Sequence, residues 1–221
     1  FLVCPACQSD LEPDLKELAD DGEYMSGTLL CTQCSVHYPI TRGVPRLTIT
    51  HFEKRGPSET FGFEWQKHGE KKLEGTTVFG RTEEEDVDYF LEATQIGPRG
   101  LDSSVILDVG CGSGQRTEGL SKLAGAKTVI GVDIHSAIEY PFQRCRGLPN
   151  VHIVQADIFA MPFRANSLDI VWSNGVIHHT SDPKKSFLSL ARLVKKNGRL
   201  YIWVYEKRNS PFRLTKDFLD K

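Results

Sequence analysis

The segment LDVGCGSG (residues 107–114) decides the fold of this chain, because a short apolar run ends there in an acid and a glycine-rich turn. Glycines permit a tight turn and let a ligand approach the backbone where the following helix begins. The segment therefore predicts a strand, a turn and a helix, with a ligand site at the turn. A turn of this kind also occurs where it only connects a strand to a helix, so other residues must decide between the two.

Short apolar runs and helical segments alternate after residue 103. This alternation is typical of an α/β fold with a doubly wound, Rossmann-like parallel sheet, whose ligands lie at the carboxyl ends of the strands. The predicted strands are 105–109, 129–132, 151–154, 168–172 and 200–205.

Two helices carry clear end signals. The first is predicted to begin at a capping box of Thr82 and Glu85 and to end at Gly97-Pro98. The second is predicted to begin at Asp182-Pro183 and to end at the basic and glycine residues 195–198. Their expected apolar faces are Val87, Phe90, Leu91 and Thr94 in the first helix, and Phe187, Leu190, Ala191 and Val194 in the second.

Three consecutive strands end in an aspartate: Asp108, Asp133 and Asp157. Sheet packing alone would not select this repetition, and an acid at the end of the second strand can accept both hydroxyls of a ribose. The residues predict a nucleoside-type ligand. Gln115 replaces the third glycine of a dinucleotide fingerprint, and Asp108 would repel a pyrophosphate but suits a cationic ligand.

Four of the six cysteines form two pairs, Cys4 with Cys7 and Cys31 with Cys34, separated by 23 residues. Two such C-x-x-C knuckles predict a tetrahedral zinc site, and four thiolates leave no open position, so the zinc should be structural. The alternatives are disulfides in a secreted domain and a redox C-x-x-C motif. Cys145 is expected to be a small buried helix residue.

Charge and composition exclude several classes of protein. The 221 residues carry 27 Lys+Arg and 29 Asp+Glu, and no segment is long and apolar enough to span a membrane. No secretory signal is visible, so we expect a cytoplasmic protein. Residues 1–60 contain five Lys/Arg and nine Asp/Glu, which argues against nucleic-acid binding and favours a structural or protein-contact module.

Two families resemble this sequence. The series CPAC, CTQC, YPI and GVP over residues 1–49 resembles the zinc ribbon of small tRNA-methyltransferase activator proteins. The motifs LDVGCGSG, GVDIH, QADIFAMPF, DIVWSNGVIHHTSDP and LVKKNGRLYIWVY, over about residues 100–206, resemble class I S-adenosylmethionine (SAM)-dependent methyltransferases of the ubiquinone-biosynthesis-like type.

The methyltransferase resemblance implies a role for each residue of the site. The loop with Asp108, Gly110, Cys111, Gly112 and Gly114 would hold the methionine part of SAM, and Asp133 the ribose. The remaining cofactor contacts would come from Asp157 to the adenine amino group, Ile134 and Ile158 to the base, and Asn174 to the methyl end. His178 and His179 are candidate proton acceptors; alternatively, one caps backbone groups and the other packs.

The predicted organisation is a zinc ribbon at 1–50, a linker and first helix at 51–100, and a SAM-binding methyltransferase domain at 101–221 that is incomplete at its C-terminus. The aromatic segment 61–65 is expected to pack on the next domain or to cover a ligand. The expected function is methyl transfer to a small or medium-sized metabolite. The alternatives are RNA methylation and a non-catalytic SAM-binding or partner-activating role.

Overall fold

A single sheet runs through the whole computed structural model, which describes residues 1–49, 67, 80–97 and 100–205. Over these residues, nine strands pair in the order β1-β2-β3-β4-β7-β6-β5-β8-β9. The strands are β1 (Leu11–Leu18), β2 (Tyr24–Cys31), β3 (His37–Thr41), β4 (Val44–Leu47), β5 (Val105–Val109), β6 (Thr128–Asp133), β7 (Val151–Ala156), β8 (Leu168–Asn174) and β9 (Val194–Trp203). The aromatic segment 61–65 and a C-terminal helix expected around residues 212–219 lie outside the described residues.

The five strands β7, β6, β5, β8 and β9 are parallel, which confirms the predicted doubly wound sheet. The central strand β5 is buried at all five positions because both of its faces are covered. Val105, Leu107 and Val109 pack in one core, and Ile106 packs in a second core on the opposite face.

Four helices are described: α1 (Glu83–Thr94), α2 (Gln115–Lys122), α3 (Glu139–Cys145) and α4 (Pro183–Ala191). The predicted capping box of α1 is confirmed, since Thr82 Oγ1 accepts from Glu85 N at 3.2 Å and Glu85 Oε2 accepts from Thr82 N at 2.7 Å. The helix ends earlier than predicted, with Gln95 in a left-handed conformation. No helix of the described residues is long and apolar enough to cross a membrane.

The predicted end of α4 is wrong. The helix stops at Ala191, and the segment expected to close it with Lys195 and Gly198 is the first half of β9. That segment pairs in parallel with β8, where Lys195 Nζ also lies 2.9 Å from both carboxylate oxygens of Asp169. Val194 therefore belongs to a strand, and Phe187 is 44% exposed instead of facing the core.

The N-terminal strands extend the parallel sheet. β1 to β4 form an antiparallel meander, and β4 then pairs in parallel with β7, with Arg46 opposite Gln155 and Leu47 opposite Ala156. Val44 and Leu47 on β4 are completely buried, each in a different core. The N-terminal segment is thus attached to the α/β part by both hydrogen bonds and apolar packing.

We predict that Leu47→Ala lowers the free energy of unfolding by about 2–5 kcal/mol, because the side chain is fully buried where β4 meets β7. Leu18→Ala is the matched control on β1, since Leu18 is 58% exposed and its removal should change stability by no more than about 0.5 kcal/mol. Urea unfolding measures both variants. Equal effects would show that β4 does not pack on the sheet as described.

Candidate functional site

Four cysteine sulfurs come together at the tip of the N-terminal meander. The Sγ atoms of Cys4, Cys7, Cys31 and Cys34 all lie within 4.8 Å of one another, with 3.6 Å between Cys4 and Cys34 and 3.4 Å between Cys7 and Cys31. A tetrahedral zinc with Zn–S bonds of ~2.3 Å requires sulfurs about 3.8 Å apart. The cluster fits a zinc ion, as the sequence predicts.

The knuckles have supporting groups that the sequence analysis missed. Each knuckle is followed by a left-handed residue, Gln8 with φ 64° and Ser35 with φ 58°, whose backbone N–H donates to the carbonyl of the first cysteine of the knuckle. The buried Tyr38 hydroxyl lies 3.2 Å from Cys4 Sγ, and burial raises the pKa of this phenol. Tyr38 therefore stays protonated and can donate to a cysteine thiolate, as groups around a metal's ligands commonly do.

We predict one tightly bound zinc per chain, measured by elemental analysis of the purified protein. Cys7 and Cys34 are exposed, so iodoacetamide should label them quickly after chelation but slowly in the zinc-bound protein. Cys145→Ala is the matched control, because Cys145 is buried at the end of α3, as expected, and its loss should leave the zinc content unchanged. A zinc content well below one per chain would contradict the prediction.

The glycine turn between β5 and α2 is held against its neighbours at the carboxyl edge of the sheet. Gly110 has φ 73°, and a β-carbon there would lie 2.3 Å from Val176 Cγ2 in the loop after β8. The N–H groups of Gly110 and Cys111 both donate to the carbonyl of Val132 at the end of β6. Gly114, with φ 78°, caps α2 without a side chain. The turn is therefore fixed against the end of β6 on one side and against the loop after β8 on the other.

Asp133 lies at the end of β6 and reaches this turn. Its Oδ2 accepts from Gly112 N at 3.0 Å, and its Oδ1 accepts from Ile134 N at 2.7 Å and from His135 N at 3.4 Å. The side chain remains 15% exposed. The carboxylate therefore orders the glycine turn and still has an accessible surface for a ligand's hydroxyl groups.

Asp108 differs from Asp133 in its solvent exposure, because it is buried beneath the glycine turn and is only 1% exposed. Its Oδ2 accepts from Thr117 Oγ1 at 2.8 Å, while its Oδ1 has no hydrogen-bond partner among the described residues. Burial raises the pKa of Asp108, and the Arg116 guanidinium, whose Nη1 lies 3.6 Å away, opposes that shift. Arg116 also pairs with Asp86 of α1 at 2.5 Å, a contact between distant segments that the sequence analysis missed.

Asp157 follows β7 at the same edge of the sheet. Its Oδ1 accepts from Phe159 N at 2.9 Å and so caps the short 3₁₀ helix Ile158–Ala160. The residue is 8% exposed. Burial raises the pKa of its carboxyl, which the Phe159 hydrogen bond and Lys185 counteract. Ile158 is partly buried beside it and packs on one of the two cores.

The remaining predicted residues lie at the end of β8 and in the turn that follows it. Asn174 ends that strand, and His178 and His179 form a 3₁₀ turn with Ile177. The ring nitrogens of His178 have no hydrogen-bond partner among the residues described, so this imidazole does not cap backbone groups. The rings of His178 and His179 contact each other with centroids 4.1 Å apart.

A chain of hydrogen bonds links the N-terminal meander to the Asp133 loop. Arg46 Nη1 on β4 donates to Gln155 Oε1 at 3.1 Å, and Gln155 Nε2 donates to the carbonyls of Ile134 and His135 at 3.1 and 3.0 Å. Arg46 also forms an ion pair with Glu139 at the start of α3. Sequence reasoning missed this link, since only the pairing of β4 with β7 brings the residues together.

Two known families match separate parts of the chain. Residues 107–202 match the family described as "Methyltransferase domain", and residues 1–43 match the family described as "Trm112p-like protein". A malonyl-[acyl-carrier protein] O-methyltransferase of Methylovorus sp. is 35% identical over 107 residues, which cover 45% of this chain and 36% of that protein. A tRNA U34 carboxymethyltransferase of Ruthia magnifica is 32% identical over 106 residues, which cover 46% of this chain and 33% of that protein. The chain spans about a third of the length of these curated relatives.

Two solved structures share the fold. YcgJ from Bacillus subtilis superposes with a TM-score of 0.50 at 24% identity, covering 62% of this chain and 56% of YcgJ. A Methanococcus maripaludis protein, provisionally named an S-adenosyl-L-methionine-dependent methyltransferase, gives a TM-score of 0.55 at 17% identity, covering 76% and 74%. At these identities the likeness concerns the fold alone, and it confirms the predicted Rossmann-like class.

Proposed function

We propose that this chain, in which residues 107–202 belong to the class I SAM-dependent methyltransferases and residues 1–43 are a Trm112p-like domain, transfers the methyl group of SAM to a small or medium-sized metabolite. One observation carries the proposal: the glycine turn, Asp133 and Asp157 lie together at the carboxyl edge of adjacent parallel strands. In such sheets, ligands bind in the crevice at this edge. SAM supplies a methyl group activated by its positively charged sulfur.

Each residue of the edge would hold a different part of the cofactor. The glycine turn would bring its backbone close to the methionine part of SAM through Gly110, Cys111, Gly112 and Gly114. The Asp108 carboxylate would lie behind this turn and supply a negative charge. Asp133 would accept from the ribose hydroxyls, and Asp157, which uses one oxygen for Phe159 N, would accept from the adenine amino group. Ile134 and Ile158 would pack on the base, and Asn174 would face the methyl end.

The chain's contribution to methyl transfer would be mainly alignment and exclusion of water. The turn is fixed to Val132 on one side and Val176 on the other, so a cofactor bound there would be presented in one orientation. Displacement of a methyl group from sulfur by an aligned nucleophile gains most of its acceleration from such positioning.

A small acceptor is supported by the charge of the N-terminal domain and by one relative. The acidic residues of segment 1–60 outnumber the basic ones by four, and a negative net charge disfavours binding to a phosphate backbone. The relative that is 35% identical is named for methylating malonyl-[acyl-carrier protein]. We propose a structural role for the zinc domain, and a cytoplasmic location because reduced cysteine ligands persist in a reducing compartment.

RNA is the second candidate acceptor, because another relative is named a tRNA U34 carboxymethyltransferase. We predict that a filter-binding assay run at 150 mM salt detects no complex with bulk tRNA. At lower salt concentrations, the affinity for tRNA should depend only weakly on the salt concentration. A protein that contacted many phosphates would lose affinity steeply as salt rises. Retention of tRNA with such a steep slope would favour the RNA acceptor over a metabolite.

The cofactor itself gives a direct test of the proposed function. Mass spectrometry of the purified protein should detect SAM or its demethylated product, and calorimetry should detect binding of added SAM. A non-catalytic SAM-binding protein would also pass this test, so a screen for methyl transfer to candidate metabolites must follow. Failure to bind SAM would overturn the proposal for either role.

We predict that Asp133→Ala weakens SAM binding ten- to a hundredfold, or about 1.4–2.8 kcal/mol, because two charge-assisted hydrogen bonds are lost. The ribose hydroxyls take no part in the bonds made and broken at the methyl group, so turnover at saturating SAM should change little. Calorimetry measures the affinity without knowledge of the acceptor.

Asp169→Ala is the matched control for this variant. Asp169 accepts from Val105 N at 2.9 Å at the opposite edge of the sheet, so its removal should lower stability and leave SAM affinity unchanged. Asp133 also accepts a hydrogen bond from Gly112 N in the glycine turn, so its removal should lower stability as well. The thermal unfolding of both variants must therefore be measured. A loss of stability without a loss of SAM affinity in Asp133→Ala would assign Asp133 a purely structural role.

A further inference from the structure

Gly112, in the middle of the glycine turn, is held at both of its backbone polar groups. Its N–H donates to Asp133 Oδ2 at 3.0 Å, and its carbonyl accepts from His135 Nε2 at 3.3 Å. Both partners belong to the segment at the end of β6. Gly112 has φ 54° and no side chain to anchor it, so these two hydrogen bonds restrict the residue of the turn that could otherwise rotate most freely.

The imidazole of His135 is enclosed and is bonded at one nitrogen only. The residue is 1% exposed, and its Nδ1 has no hydrogen-bond partner among the residues that the structure describes. Because a carbonyl can only accept, Nε2 carries the proton that is donated to Gly112. The hydrogen bond at Nε2 is offset by the unpaired buried atom at Nδ1, so histidine adds little net stability at this position.

The loop that carries His135 is itself held in place by hydrogen bonds. Gln155 Nε2 on β7 donates to the carbonyls of Ile134 and His135 at 3.1 and 3.0 Å. Asp133 Oδ1 accepts from the N–H groups of the same two residues at 2.7 and 3.4 Å. His135 Nε2 also lies 3.7 Å from Asp133 Oδ2, the oxygen that is bonded to Gly112 N. Gly112, Asp133 and His135 therefore form one closed cluster on a fixed loop.

We propose that His135 is a positioning residue of the cofactor site, which fixes the Gly112 carbonyl so that the glycine turn and the exposed part of the Asp133 carboxylate face the same SAM molecule. This inference rests on the proposed function. The buried imidazole does not touch the cofactor and acts through the backbone of Gly112. Groups that are already held in their bound arrangement raise affinity, because binding no longer has to order them.

The expected effect concerns the affinity for both forms of the cofactor. SAM and S-adenosylhomocysteine share the methionine and ribose parts that the turn and Asp133 would hold, and they differ at the sulfur. Loss of one hydrogen bond between uncharged groups should weaken the binding of both ligands by the same factor, about three- to tenfold. An imidazolium that acted through its charge would instead change the affinity for the positively charged SAM more than that for S-adenosylhomocysteine.

The test combines calorimetry of the full chain with both ligands and thermal unfolding of the free protein. His135→Leu should bind each ligand about three- to tenfold more weakly. Its unfolding temperature should change little, because the substitution removes the unpaired Nδ1 but leaves the Gly112 carbonyl without its donor. His135→Gln retains an N–H donor and should recover most of the affinity. The matched control is His152→Leu at an exposed position of β7, which should change neither property.

A double-mutant cycle shows whether His135 acts through the turn. Asp133 holds the N–H of Gly112 and His135 its carbonyl, so the combined loss of affinity in His135→Leu with Asp133→Ala should be smaller than the product of the two single losses.

Three results would overturn the inference: a combined loss equal to that product, an unchanged affinity in His135→Leu, or a loss of affinity that accompanies a clearly lower unfolding temperature. Failure of the unmodified chain to bind either ligand would instead overturn the proposed function on which the inference rests.

Discussion

The connection between β5 and α2 has to pass between two neighbouring strands with almost no space for side chains, and the geometry of the whole edge depends on this constraint. A β-carbon at Gly110 would enter Val176, and one at Gly114 would lie 2.9 Å from Pro141 Cβ. The glycines therefore let the first turn of α3 and the loop after β8 pack closely on the two sides of the turn. Asp133 then accepts from the backbone N–H of Gly112, which places a partly exposed carboxylate beside the turn.

The N-terminal domain is part of the same hydrophobic and hydrogen-bonded structure. Tyr38 and Leu47 pack in one core with residues of β5 and β6, and Val44 packs in the other with Phe142 of α3. The Arg46 and Gln155 side chains also connect β4 to the loop after Asp133 through direct hydrogen bonds. The predicted domain boundaries at residues 50 and 100 stay predictions. The strands on both sides of these residues belong to one continuous sheet, which therefore marks neither boundary.

Features that depend on residues close together in the sequence were predictable, whereas contacts between distant segments were not. The capping box at Thr82 and the two cysteine knuckles involve residues three apart, so their spacing alone defines them. The end of α4 was mistaken because Lys195 suits a helix terminus equally well, and only the fold provides Asp169 as its partner. The burial of Asp108 and the contacts of Arg46 depend on strand order. The assignment of individual cofactor contacts likewise stays a prediction that rests on resemblance.

The pairing of β4 with β7 also protects the molecule. Without β4, the backbone groups of β7 would form the open edge of a parallel sheet, and such edges recruit strands from other molecules. Here the covering strand belongs to the same chain, so its local concentration is far above that of any separate competitor and does not fall on dilution. A strand of another molecule would have to displace this covalently attached strand before it could pair with β7.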